Sequence, residues 1–283
     1  MQAPVAGSDF SKHLESPVDR RIRTDLESGV PVVVHVIVAL CDNRYQGIIK
    51  VPAELGNGQR PEGNLYWGAR YGLKTFLRRD SAWTYLGRID HESPYVLEKV
   101  LFRTEVLYHD DEDGEGVEGP LYLVAEAWDG RRMAQALERF FSIAAGRSFD
   151  SVSFVEDDKN RPIVAGGHSH VVAFVGHNGI MDAPVERFPA ADSAAPDRNA
   201  IVLACASAPF FKEHLLDVGA KSLLLTTDLM APEAYTLEAA VRAWAGGADA
   251  KEVRLAAAEA YRKYQKCNAN AARRLFVVVE AKD

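Results

Sequence analysis

The chain has 283 residues, 47% of them hydrophobic and 26% charged, which is ordinary globular composition and excludes a disordered chain, a collagen-like fibre and a coiled coil. Lys+Arg 33 against Asp+Glu 40 leaves a net charge of −7, and no basic stripe interleaved with aromatics runs through it. Neither nucleic acid nor an anionic membrane surface is therefore an expected partner.

The first thirty residues are polar, and the charged stretch 19–27 reads as a short surface helix. Residues 30–40 (VPVVVHVIVAL) form the longest nearly apolar run, about half the length of a membrane span. Dominated by β-branched residues, that run predicts a central parallel strand buried on both faces. It empties into Cys41-Asp42-Asn43-Arg44. A Gly/Asn-rich stretch around Gly56 and Gly58 follows, then a helix-like segment over 65–79. Residues 95–108 read as one or two extended segments, 108–119 as an acidic loop, and 121–127 as a second strand. A helix is predicted over 131–145, with Met133, Ala136, Leu137, Phe140 and Phe141 at helical spacing and Gly146 as its stop. Further buried strands are predicted at 171–176, 200–204, 222–226 and 275–279. A short helix through Phe211 and Leu215 and longer ones over 232–245 and 251–266 lie between them. Strands alternating with helices require crossovers, so the expected fold is a single α/β domain over 1–283, with 1–29 as a polar extension. Its mostly parallel sheet has about six strands and helices on both faces.

In open α/β sheets ligands bind beyond the carboxyl ends of the strands. Those ends deliver Cys41 and Asp42, His177, Cys205, and Thr227 and Asp228 to one rim. A histidine and a cysteine that each close a buried strand make a nucleophile–base pair, in which the imidazole takes the thiol proton and returns it to the leaving amine. The tetrahedral intermediate needs backbone N–H donors; Gly179 and the Cys205 amide stand in the right places. Three cysteines (Cys41, Cys205, Cys267) are too few for a disulfide framework and fit a reducing compartment. Because 1–10 has no basic-then-apolar leader, a cytoplasmic location is expected.

The blocks Val171-Val172-Ala173-Phe174-Val175-Gly176-His177-Asn178-Gly179 and Ala200-Ile201-Val202-Leu203-Ala204-Cys205 resemble those of the caspase-like (clan CD) cysteine peptidases. His preceding Cys fits that clan and not papain-like enzymes. The resemblance covers the element order over 30–245 and its specific motifs cover two short blocks. It departs at Asn178, which stands where the family has the glycine directly after its histidine. What the resemblance implies is a caspase-like fold, a Cys205 thiolate attacking a peptide carbonyl, and His177 as general acid–base. It also implies a specificity pocket near the ends of the first and fifth strands, where Asp42 and Asp228 would select Arg or Lys by charge-assisted pairing.

Other readings compete. The same frame without turnover would be an interaction module. The H-x-H pair His168 and His170, with Asp182, would suit a zinc hydrolase, since alternate residues of a strand share a face. Cys41 reads as an inert neighbour and Cys267 as a structural residue. The carboxylates over 110–118 partly resemble a calcium loop but lack its distal Glu, and a solvated charge run accounts for them. No Lys-Ser/Thr follows Gly56 and Gly58, and no G-x-S-x-G elbow is present, which speaks against a phosphate loop and a serine hydrolase.

Overall fold

The computed structural model describes residues 17–109, 115–156, 159–182, 185 and 188–279. Its strands are β1 (Val32–Ala39), β2 (Thr84–Arg88), β3 (Val96–Tyr108), β4 (Val117–Trp128), β5 (Phe149–Glu156), β6 (Lys159–Gly166), β7 (Val171–Val175), β8 (Asn199–Leu203), β9 (Lys221–Thr226) and β10 (Phe276–Val277). The helices are α1 (Pro17–Glu27), α2 (Leu73–Arg79), α3 (Met133–Ala144), α4 (Ser207–Asp217), α5 (Ala234–Ala245), α6 (Ala250–Gln265) and α7 (Ala269–Leu275). Eight strands form one sheet in the order β10-β9-β8-β7-β1-β4-β3-β2. From β9 through β4 every pairing is parallel, while β10, β3 and β2 each run antiparallel to their neighbour.

Every residue of β1 is buried, as a central strand covered on both faces must be. Its side chains alternate. Val34, Val36 and Val38 join Ile22 and Leu26 of α1, Leu73 and Leu77 of α2, Leu237 and Trp244 of α5, and Val253 of α6. Ile37 and Ala39 face the opposite layer, where Leu137, Phe140 and Phe141 of α3 meet Phe211 and Leu215 of α4. The expected helices on both faces are present.

Sheet size and several boundaries differ from expectation. There are eight strands, not about six: residues 96–108 form one continuous strand, and β2 adds to its outer edge. Over 65–79 only α2 is helical. Earlier in that segment the Asn64 carbonyl accepts from Trp67, Gly68 and Ala69, and a Cβ on Gly68 would lie 2.1 Å from the Glu62 oxygen, so the chain is folded too tightly on itself for a helix. Leu275 closes α7, leaving β10 two residues long. The β5–β6 hairpin was not expected; its Val152, Phe154 and Ile163 pack on Val33, Leu101 and Val124.

A buried ionic network fixes that hairpin to the sheet. Glu126 of β4 accepts from His35 (3.1 Å), Lys99 (3.1 Å), Arg139 (3.0 Å) and the Trp128 indole (3.0 Å). Lys99 and Arg139 also pair with Asp150 of β5. Burial opposes the charge on Glu126, yet these donors hold its carboxyl well below the usual range.

Phe140 is fully buried, with ring centroids of Phe141, Phe174 and Phe211 at 5.1, 5.7 and 6.2 Å. Phe140→Ala is expected to cost about 3–5 kcal/mol in denaturant unfolding, because it opens a cavity between α3, α4 and β7. An unchanged unfolding midpoint would contradict this packing.

Candidate active site

β7 and β8 are adjacent and parallel, with Val175 opposite Leu203. The Gly176 amide extends the ladder by donating to the Leu203 carbonyl at 3.2 Å. Two residues beyond the last pair on each strand stand His177 and Cys205. Gly176 has φ 153°, and a Cβ there would lie 2.8 Å from the Ala39 carbonyl at the end of β1, so the histidine loop leaves the sheet hard against the central strand.

Cys205 occupies a tight strand-to-helix turn. Ala206, directly after it, has φ 46° and ψ 45°, a left-handed conformation for a residue with a Cβ. Strain of this kind, on the order of 1–3 kcal/mol, persists only where surroundings hold it. Here the Ala206 amide donates to the Asp228 carbonyl (2.9 Å), and Ser207 exchanges hydrogen bonds with Thr226 on β9. The turn points the half-buried Cys205 sulfur at Met230, whose amide donates to it at 3.4 Å and whose carbonyl accepts from it at 3.6 Å. α4 begins two residues on, at Ser207.

His177 is 7% exposed, and its Nε2 lies 2.8 Å from Asp182 Oδ2. Among the described residues no hydrogen bond joins the His177 ring directly to the Cys205 sulfur. The two loops are joined by Asn178, which is fully buried and donates from Nδ2 to the Cys205 carbonyl at 2.8 Å. The residue that interrupts the family-like pattern is thus the tie between its two halves. Asn178 (φ −76°, ψ 83°) centres an inverse γ-turn in which the Gly179 amide donates to the His177 carbonyl at 3.0 Å.

No family model, curated protein or solved structure matches the chain.

The other residues singled out from sequence divide clearly. Gly179 is not a free oxyanion donor, because its amide is engaged within the γ-turn; its lack of a side chain serves α3, since a Cβ would sit 2.2 Å from Met133 Cγ. The Cys205 amide, the second expected donor, has no acceptor among the described residues. Asp42 is buried and its carboxylate is engaged within its own loop region. Oδ1 accepts from the Arg44 and Tyr45 amides and Oδ2 from Gln59, so the carboxylate shapes its own loop. Gly58 packs on that carboxylate: its Cβ would lie 2.5 Å from Asp42 Oδ2, with no part in a phosphate loop. Asp228 is exposed, accepts from the Leu229 amide at 2.7 Å, and lines a pocket of about 240 Å³ with Tyr261, Cys267 and Arg274. Burial pushes the Cys41 thiol up to about 11, which makes it the inert neighbour expected.

The zinc arrangement is overturned by strand length. His168 and His170 precede β7 and Asp182 follows it, so five residues at about 3.3 Å each separate them. His170 is already committed: Nδ1 accepts from the Val33 amide (3.1 Å) and Nε2 meets Asp25 (3.0 Å). The one His/Asp/Glu grouping close enough to share an ion, among the described residues, is His35, Glu126 and Asp150. Lys99 and Arg139 already neutralise its carboxylates. Residues 110–114, the centre of the acidic loop, lie outside the described residues. No helix among the described residues is long and apolar enough to cross a membrane.

Two outcomes follow from these contacts. Asn178→Ala leaves the Cys205 carbonyl without its donor and is expected to destabilise by about 1–3 kcal/mol in chemical denaturation; no loss would show that the tie is dispensable. Burial lowers His170 from 6.5 to about 4, so the folded ring stays neutral where the unfolded one gains a proton. Stability is therefore untouched above pH 6.5 and falls as pH drops from 6.5 toward 4. His170→Asn, which keeps an acceptor for Val33, should flatten that acid limb in pH-dependent melting; an unchanged limb would contradict it.

Proposed function

We propose that this protein is a cysteine-type peptidase in which Cys205 is the nucleophile and His177 its general acid–base. The observation that carries the reading is the Cys205 turn: a sulfur on a strained strand-to-helix corner, at the same sheet edge as a nearly buried histidine and tied to the histidine loop through Asn178. Sulfur attack on a peptide carbonyl would place the developing oxyanion near the Cys205 amide and the start of α4. Proton transfer from the thiol to His177, and from His177 to the leaving amine, would complete acylation; water would then hydrolyse the thioester. The substrate class is a protein or peptide. With Asp42 consumed by its own loop, Asp228 is the acidic residue left to favour cleavage after Arg or Lys. No cofactor is required by this chemistry.

The competing reading, an interaction module that keeps the frame without turnover, is favoured by one observation: the sulfur is engaged with the Met230 backbone and not with the imidazole. Iodoacetamide labelling followed by peptide mass analysis separates the two. A peptidase requires Cys205 to react faster than Cys41 and Cys267 and to slow in His177→Ala, whereas equal, slow reaction of all three indicates the inert module. With fluorogenic peptides, Cys205→Ala should abolish turnover with little change in melting temperature, and His177→Ala should reduce it about 10²-fold or more. Full proteolysis by Cys205→Ala would remove the assignment.

A further inference from the structure

We infer that Asp182 is the positioning residue that fixes the tautomer of His177, and that Gly47 is a glycine because that arrangement requires one. The inference rests on the peptidase reading for its consequence but on contacts alone for its geometry. Asp182 closes the one-turn 3-10 helix Gly179–Met181, which carries its carboxylate back to the ring five positions earlier. Asp182 Oδ2 lies 2.8 Å from His177 Nε2 and accepts from the Gly47 amide at 3.1 Å. An ionised carboxylate only accepts hydrogen bonds, so the nitrogen facing it must carry the hydrogen. Nδ1 is then left with its lone pair, the form a base needs to take the thiol proton.

The loop after β1 completes the device. A Cβ on Gly47 would lie 2.5 Å from Asp182 Oδ1 and 3.3 Å from its Cγ, so a side chain there forces the carboxylate to shift from the position in which it meets the ring. Gly47 thus supplies both an amide donor to the carboxylate and the space the carboxylate occupies. On the peptidase reading, a proton taken from the Cys205 thiol would go to Nδ1, and the carboxylate on Nε2 would stabilise the imidazolium so formed without taking a proton itself. Asp182 is 41% exposed, so its contribution lies in orientation and not in fold stability.

The test uses full-length protein with 15N-labelled histidine. In wild type and in Cys205→Ala, His177 should show the Nε2–H tautomer in long-range 1H–15N spectra at a pH where the ring is neutral. Asp182→Ala and Gly47→Ala should each convert it to a tautomer mixture. Each should also slow Cys205 alkylation about 10-fold or more, at or below the roughly 10²–10⁴-fold contribution of a general acid–base itself. Because Gly47 acts through Asp182, the double variant should match Asp182→Ala alone and not show the sum of the two effects. Wild-type tautomer content in Asp182→Ala, or additive losses in the double variant, would overturn the inference. If His177→Ala leaves alkylation unchanged, the peptidase reading fails separately, and the spectra still decide the role of Asp182.

Discussion

The parallel, in-register pairing of β7 with β8 is the constraint on which the site depends. With Val175 opposite Leu203, chains leaving the two strands emerge at one level, and the second residue beyond each pair is His177 or Cys205. A shift of one residue in that pairing would move every side chain of one strand into the opposite core layer, so the fit of each side chain to its own layer fixes the register. Val172, Phe174, Ala200 and Val202 pack toward α3 and α4, while Ala173, Val175, Ile201 and Leu203 pack toward the opposite layer. The placement of His177 and Cys205 at one edge is in this sense a consequence of the core.

Buried side-chain amides then convert strand ends into defined loops. At the end of β1, Asn64 accepts from the Cys41 amide and donates to the Cys41 carbonyl. Beyond β8, Asn178 donates to the carbonyl of Cys205. Both are fully buried, so each replaces water for backbone groups that have left the ladder. The two cysteines nevertheless end in different states. Cys41 is sealed beneath Tyr66 with its thiol pushed up, whereas Cys205 stays partly exposed against the Met230 backbone.

The central strands were legible because burial on both faces leaves nearly continuous apolar runs, rich in β-branched residues, at 32–38, 171–175 and 200–203. The hairpin was not. Its strands are half-buried, with Phe149 and Val155 outward and Val152 and Phe154 inward, and the polar–apolar alternation Ser151-Val152-Ser153-Phe154 was the signal available. Placement of His177 and Cys205 at strand ends followed from sequence, as did the placement of Cys41 at the end of β1. The use of each carboxylate did not. An aspartate after a strand is equally suited to hold its own turn or to meet a ligand, and Asp42 does the former. The competing zinc reading takes Asp182 as a ligand because H-x-H precedes it in sequence; β7 intervenes in space and Asp182 meets His177 instead. Asn178 looked like a defect because its partner, a backbone carbonyl 27 positions away, has no sequence signature.

Juxtaposition of positions 177 and 205 is the central claim, and thiol bridging tests it without a substrate. In a Cys267→Ser background, His177→Cys would be treated with dibromobimane, which fluoresces once it links two neighbouring thiols. The account predicts rapid fluorescence with a cross-link between positions 177 and 205, absent when Cys205→Ala is added and absent in a His168→Cys control. No bridge at 177, or one that forms as readily from 168, would contradict it.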